Sequence, residues 1–148
     1  MKLLALDIDG VLNSRYYKST NRTYTLDPER ICILNEIILG TGCKILLTST
    51  YRLHFADAIG VNMWFEAVGI RPEVVGITQR IYDARGNQIK NWLKTCKETI
   101  ESLVILDDDN DMGDLMSYLI LTNNDTGMTS QEASLVIERL NSKEYAYG

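Results

Sequence analysis

Three short apolar runs constrain the fold of this chain most strongly, because a carboxylate or hydroxyl side chain stands at the end of each. They cover residues 3–6 (LLAL), 44–48 (KILLT) and 103–106 (LVIL). The runs do not alternate between apolar and polar residues, which indicates strands buried on both faces of a sheet. Asp7 follows the first run, Thr48 closes the second and Asp107 follows the third.

The segments between these runs have helical patterns. Asp27 and Pro28 are typical of a helix start, apolar residues follow at helical spacing, and Gly40 and Gly42 are expected to end the helix. Further expected elements are helical pieces at 54–68, a short strand at 74–78, a helix at 86–96, a strand at 118–122, and a helix that opens with the capping box TSQE at 129–132. Alternating strands and helices predict an α/β fold: a single Rossmann-like, three-layer domain over 1–148 with a mainly parallel sheet.

The carboxyl ends of parallel strands meet at one edge of a sheet, where ligands bind. We therefore expect Asp7, Thr48 and Asp107 to share a crevice. Asp7 and Asp9 occupy alternate positions and are expected to face the same side, with Ile8 directed into the core. The run DDDND at 107–111 adds further carboxylates. Such crowded oxygen ligands suit Mg²⁺, which keeps its other positions for water and phosphate oxygens.

Charge and hydropathy exclude some partners. The net charge of −5 argues against a broad basic surface for stable binding of duplex DNA, while a nucleotide or strand end needs only a few local cations. No apolar run approaches the roughly 20 residues that span a bilayer, so no membrane partner is expected. Because Asp7 and Asp9 interrupt the first apolar run, it is expected to form a strand and not an export signal, which favours a cytoplasmic location.

Several motifs carry a resemblance to a known family. DIDGVLN at 7–13 resembles the first motif of the haloacid-dehalogenase (HAD) superfamily, LLTST at 46–50 the second, and LDDDND at 106–111 the fourth. The chain most resembles the HAD domains of Swiss-army-knife RNA repair proteins, through these motifs and TSTYR, RGNQIKNWL, VILDDDNDM and LTNNDTGMT. The resemblance implies a HAD-like fold with little or no cap, and a Mg²⁺-dependent phosphatase that forms an aspartyl-phosphate intermediate.

The same resemblance implies roles for the residues around the phosphate. Asp7 is expected to be the nucleophile, and Asp9 the general acid and then the general base. Thr48 is expected to bind the transferring phosphoryl group, with Ser49 as the substitute if the strand register shifts by one. Gly10 permits a sharp turn that brings its amide close to a ligand. Arg52 is expected either to reach the substrate phosphate or to be a solvated surface residue.

The implied metal ligands are Asp7, the backbone carbonyl of Asp9 and a carboxylate of the acidic motif. Asp108 is the favoured direct ligand, and Asp107 is expected to orient a metal-bound water or the cationic residue. Asp111 is an alternative ligand, or a cap for the short helix after it.

The family also uses a Lys or Arg that offsets the charge of nucleophile and phosphate. Arg85 is the favoured residue because it stands just before a predicted helix; Arg80 and Lys90 are the alternatives.

Residues 13–26 are expected to form a short flap over an open crevice. Their mixture of cations and aromatic rings can stack a base and contact a phosphate, or can form a solvated hairpin. This residue set is Arg15, Tyr16, Tyr17, Lys18, Arg22 and Tyr24.

The expected substrate is a small phosphate ester, a nucleotide or a nucleic-acid end. Three other interpretations are a phosphate- or nucleic-acid-binding module without catalysis, a phosphotransferase or dehalogenase, and a receiver-type phospho-acceptor.

Overall fold

A computed structural model describes residues 1–21, 25–71, 73–79 and 82–148. Within these ranges there are five strands: β1 (Lys2–Leu6), β2 (Lys44–Leu47), β3 (Val74–Ile77), β4 (Ser102–Asp107) and β5 (Leu119–Leu121). The same ranges contain five α-helices: α1 (Arg15–Thr20), α2 (Pro28–Thr41), α3 (Ala58–Ala67), α4 (Arg85–Thr95) and α5 (Ser130–Leu140). Short 3-10 helices cover Thr50–His54, Gly113–Tyr118 and Lys143–Tyr145.

The five strands form one parallel sheet in the order β3-β2-β1-β4-β5. β1 is central, and its Leu4 lies opposite Ile45 of β2 and Val104 of β4. Because β1 and β4 are neighbours although distant in sequence, the first and fourth motifs meet in the fold. The predicted α/β, Rossmann-like architecture is confirmed.

Helices cover both faces of the sheet. Successive residues of β1 enter two separate apolar clusters, since side chains alternate along a strand. Leu4 and Leu6 join the cluster that contains residues of α2, α3 and α5, whereas Leu3 and Ala5 join the cluster that contains residues of α4. Burial on both faces explains why the strand sequences do not alternate.

Several predicted boundaries were wrong by one or a few residues. α2 continues through Gly40, and it is Gly42, in the left-handed conformation with φ 66°, that ends it. The second strand ends at Leu47, one residue before Thr48, and the fifth strand comprises Leu119–Leu121 only. Thr129 is the N-cap of α5, but its hydroxyl bonds the side chain of Glu132 and not a backbone amide, so the side-chain cap that a capping box requires is not formed at this residue.

The flap contains a helix, so the hairpin interpretation was wrong for its first half. α1 begins after Ser14, whose hydroxyl accepts a hydrogen bond from the backbone N–H of Tyr17. A serine cap of this kind stabilises a helix start, and the six-residue helix is too short to show an apolar periodicity in the sequence. Arg22 and Tyr24, which were grouped with the flap, lie outside the described residues.

Candidate active site

Backbone hydrogen bonds bring the polar ends of the strands to one edge of the sheet. The N–H of Asp7 donates to the carbonyl of Leu106 (3.1 Å), and the N–H of Thr48 donates to the carbonyl of Leu6 (3.0 Å). Asp7, Thr48 and Asp107 are all buried. Because these hydrogen bonds continue the pairing of the strands, the edge is held by the same ladder that forms the sheet.

The guanidinium of Arg85 lies at the centre of this group. Its Nη1 is 3.2 Å from Oδ1 of Asp7, 2.9 Å from Oδ2 of Asp107 and 3.4 Å from Oγ1 of Thr48. Burial opposes the charge of Arg85, but the carboxylates of Asp7 and Asp107 outweigh this effect and raise the pKa of its guanidinium. A permanently charged donor is therefore fixed between three residues from three strand ends.

The start of α4 places Arg85 at this position. Arg85, predicted to stand just before the helix, is in fact its first residue, and its N–H donates to Oδ2 of Asp111 (3.0 Å). The next N–H, of Gly86, donates to the carbonyl of Asp111 (3.0 Å). A Cβ on Gly86 would lie 2.2 Å from the carbonyl oxygen of Met112, so only glycine permits this approach. Asp111 thus contacts the first turn of α4; the expectation that it caps the helix following it was wrong.

Three carboxylates form a compact acidic group. Ligand oxygens of Asp7, Asp107 and Asp108 lie within 4.8 Å of one another. Burial and the charge of Asp7 raise the pKa of Asp107 to about 8, although Arg85 opposes this change. The same two causes raise the pKa of Asp108. Burial and the charge of Asp7 thus disfavour ionisation of Asp107 and Asp108, and a cation bound beside them would favour it.

The oxygens of Asp107 already have partners within the chain. Oδ1 accepts a hydrogen bond from the N–H of Asp109 (3.0 Å), and Oδ2 is paired with Arg85 (2.9 Å). This arrangement agrees with a role for Asp107 in orienting the cationic residue. Asp108 is less buried than Asp107 and is the more accessible of the two to a ligand.

The carboxylate of Asp9 lies on the open side of the site. Its Oδ1 is 3.3 Å from Nζ of Lys18, and the side chain of Asp9 is 43% exposed, against 7% for Asp7. Asp9 thus contributes no side-chain oxygen to the acidic group of Asp7, Asp107 and Asp108. β1 ends at Leu6, so the strand alternation assumed for residues 7–9 does not govern the direction of Asp9, whereas Ile8 is buried in the core as expected.

Gly10 turns the chain beneath the acidic group. Its φ is 80°, a conformation that residues other than glycine rarely adopt, and a Cβ here would lie 2.3 Å from Oδ2 of Asp108. The hydroxyl of Thr122 donates to the carbonyl of Gly10 (2.6 Å) and fixes the turn. Sequence reasoning missed Thr122. The signal was available, since Thr122 directly follows a strand, as Asp7 and Thr48 do.

The second motif is folded into the structure more tightly than expected. Ser49 is buried, and its hydroxyl accepts a hydrogen bond from the N–H of Tyr51 (3.2 Å). Arg52 is 5% exposed, so its interpretation as a solvated surface residue was wrong. Its Nη1 donates to the carbonyls of Thr48 (3.2 Å) and Ser49 (3.0 Å), and so holds the backbone around Thr48 in place.

Of the two alternative cations, the structure describes Lys90. Lys90 pairs with the exposed carboxylate of Asp114 at 2.8 Å. Arg80 lies outside the described residues.

Residues 3–133 match the family model for the HAD domain in Swiss Army Knife RNA repair proteins. The chain belongs to this family. No curated protein matches it. The family match extends across the strands that carry Asp7, Thr48 and Asp107, so it includes every strand end of the candidate site.

Within the part of the chain that the structure describes, no helix of this HAD domain is long and apolar enough to cross a membrane.

Proposed function

We propose that this HAD domain is a Mg²⁺-dependent phosphatase that removes terminal phosphates from nucleotides or nucleic acids through an aspartyl-phosphate intermediate. The observation that carries the proposal is the set of contacts around Arg85. One guanidinium touches a carboxylate suited to be the nucleophile, a hydroxyl suited to bind phosphate and a second carboxylate that orients it. Phosphoryl transfer requires mainly such positioning and charge stabilisation.

The residues divide the reaction between a buried and an open side. A carboxylate oxygen of Asp7 attacks phosphorus, the bond to the leaving-group oxygen breaks, and Asp9 gives its proton to that oxygen. Water then attacks phosphorus, gives its proton to Asp9 and displaces Asp7, which releases inorganic phosphate. The exposure of Asp9 supports this assignment because leaving group and water both enter from solvent.

Arg85 and Thr48 are proposed to hold the phosphoryl oxygens during both steps. Arg85 places its positive charge beside Asp7, and the hydroxyl oxygen of Thr48 lies 3.4 Å from Nη1 of Arg85. Gly10 leaves room beside the carboxylate of Asp108, since a Cβ at Gly10 would lie 2.3 Å from its Oδ2. Ser49 and Arg52 are proposed to support Thr48, since both are committed to hydrogen bonds within the second motif.

The acidic group fits the proposed metal. Its donors are carboxylate oxygens, the ligand type that Mg²⁺ prefers, and burial together with the charge of Asp7 raises the pKa of Asp107 and Asp108, an effect that a bound cation would oppose. Asp7 and Asp108 would hold the ion together with the backbone carbonyl of Asp9, and Asp107 would orient Arg85. When bound, Mg²⁺ would offset the charge of the phosphate and polarise its oxygens.

A phosphatase assay tests the proposal. Wild-type protein should hydrolyse an aryl phosphate in Mg²⁺ and lose this activity in chelator, and Asp7→Asn should abolish it. Asp114→Asn makes the same chemical change at an exposed site and should retain turnover. Oligonucleotides phosphorylated at the 3′ or 5′ end should then be compared with small esters. Unchanged turnover by Asp7→Asn would contradict the proposal. Binding of Mg²⁺ and phosphate without turnover of any substrate would support a binding module instead.

A further inference from the structure

Lys18 on α1 forms an ion pair with Asp9 on the open side of the site. Its Nζ lies 3.3 Å from Oδ1 of Asp9, and the two side chains are 32% and 43% exposed. The pairs made by Arg85 are much more buried. Lys18 is therefore a cation that both a site carboxylate and solvent can reach.

The position of Lys18 is fixed by contacts other than this ion pair. The N–H of Arg15 donates to the carbonyl of Asn124 (2.8 Å), and the hydroxyl of Tyr17 donates to the carbonyl of Leu26 (3.2 Å). The N–H of Lys18 itself donates to the carbonyl of Ser14 (2.9 Å). α1 is thus attached at its first turn, and Lys18 extends from it toward Asp9.

Other described cations near α1 and the second motif have structural partners. Arg15 pairs with Asp125, Arg30 pairs with Asp27 and Glu29, and Arg52 donates to backbone carbonyls. Within the residues that the structure describes, the ion pairs to Asp7, Asp9 or Asp107 come from Arg85 and Lys18. Lys18 is therefore the partly exposed cation of this described set that contacts Asp9.

We propose that Lys18 is a specificity-determining residue that binds a negative charge on the leaving group. This inference rests on the proposed function, in which Asp9 protonates the leaving-group oxygen and the leaving group must lie beside Asp9. A lysine ammonium has three donors and can bind an anion while it remains near a carboxylate. The substrate class that it favours is a phosphorylated end whose leaving group carries a further phosphate, as the neighbouring phosphodiester of an oligonucleotide does.

Two matched substrates test this assignment. Both are dinucleotides with a terminal phosphate, prepared with the phosphate at either end; one has a phosphodiester linkage and the other an uncharged methylphosphonate linkage. The wild-type protein should prefer the charged linkage in kcat/KM. Lys18→Ala should reduce this preference about tenfold, the effect of one partly solvated charge-assisted hydrogen bond, and Lys18→Arg should largely preserve it.

Lys94→Ala is the control, because it removes the same charge from an exposed position near the opposite end of α4 from Arg85. It should leave the preference unchanged. Equal losses on both dinucleotides in Lys18→Ala, or no loss on either, would overturn the assignment. Hydrolysis of an aryl phosphate that depends on Asp7 would in those cases still support the proposed function, so the two failures are distinguishable.

Discussion

The guanidinium of Arg85 contacts Asp7, Thr48 and Asp107 through a single nitrogen, so the site depends on where one atom lies. Arg85→Ala should reduce kcat by about 10²–10³-fold, the usual cost of removing one donor that stabilises transition-state charge. The kcat of Arg85→Lys should lie between those of the wild-type protein and Arg85→Ala, because lysine keeps the charge but not the planar guanidinium. Steady-state kinetics with an aryl phosphate measure both effects.

Lys90→Ala provides the comparison for this prediction, since Lys90 is paired with an exposed carboxylate on another element. It should retain activity close to that of the wild-type protein. A large loss of activity in Lys90→Ala together with a small loss in Arg85→Ala would contradict the assignment of the cationic role to Arg85.

Single residues also show where sequence reasoning succeeds. Asp7 and Thr48 could be placed at one edge because each stands at the end of a continuous apolar run, and the parallel sheet brings such ends together. Arg52 could not be placed, because an arginine in a polar segment gives no sign that its guanidinium will fold back onto the carbonyls of Thr48 and Ser49. Contacts of this kind depend on the path of the backbone and not on residue type.

Among the elements, α4 and the acidic loop after β4 act as one unit. Gly86→Ala would force a Cβ against the backbone of Met112, which cannot move as a flexible side chain can. We expect a loss of about 1–3 kcal/mol in the free energy of unfolding and a fall in kcat, because Arg85 moves with the start of α4. Urea unfolding and aryl phosphate turnover measure the two effects.

Gly40→Ala is a suitable control for this substitution. Gly40 lies inside α2, and a Cβ there would have no neighbour closer than 3.7 Å. Alanine favours helix over glycine, so this variant should be as stable as the wild-type protein or more stable by up to about 1 kcal/mol. Equal stability of Gly86→Ala and Gly40→Ala would contradict the proposed tight contact.

Elements with a local signal were predicted better than those held by distant contacts. Asp27 and Pro28 indicate the start of α2, and both stand where the helix begins. α1 was not predicted, because it is short and is attached to the distant Asn124. The start of α4 was misplaced by one residue because its partner is Asp111, a residue from a later loop, and not a cap adjacent in sequence.

At the scale of the whole molecule, the acidic group links stability to pH. The pKa of Asp107 rises from an ordinary 3.8 to about 8 in the folded chain. At pH values between 3.8 and about 8, Asp107 holds a proton in the folded state that it has lost in the unfolded state. The free energy of unfolding of the metal-free protein should therefore decrease as pH rises through this window, by up to about 1.4 kcal/mol per pH unit for one proton.

Urea unfolding in chelator at pH 5 and pH 8 tests this dependence. Asp107→Asn removes the titrating group and should make stability less dependent on pH. Added Mg²⁺ should stabilise the wild-type protein more at pH 8, where it competes with fewer protons for the carboxylates. Identical pH dependence in the wild-type protein and Asp107→Asn would show that Asp107 does not hold this proton.

A covalent phosphoryl group on Asp7 is the most direct test of the proposed reaction. Asp9→Asn should still accept the phosphoryl group from an aryl phosphate, whose leaving group needs little protonation, but should hydrolyse the intermediate slowly. Borohydride converts an aspartyl phosphate to homoserine, which peptide mass spectrometry locates. The expected result is homoserine at position 7, dependent on substrate and Mg²⁺. Turnover by the wild-type protein with only unmodified aspartate at position 7 after this treatment of Asp9→Asn would contradict the account.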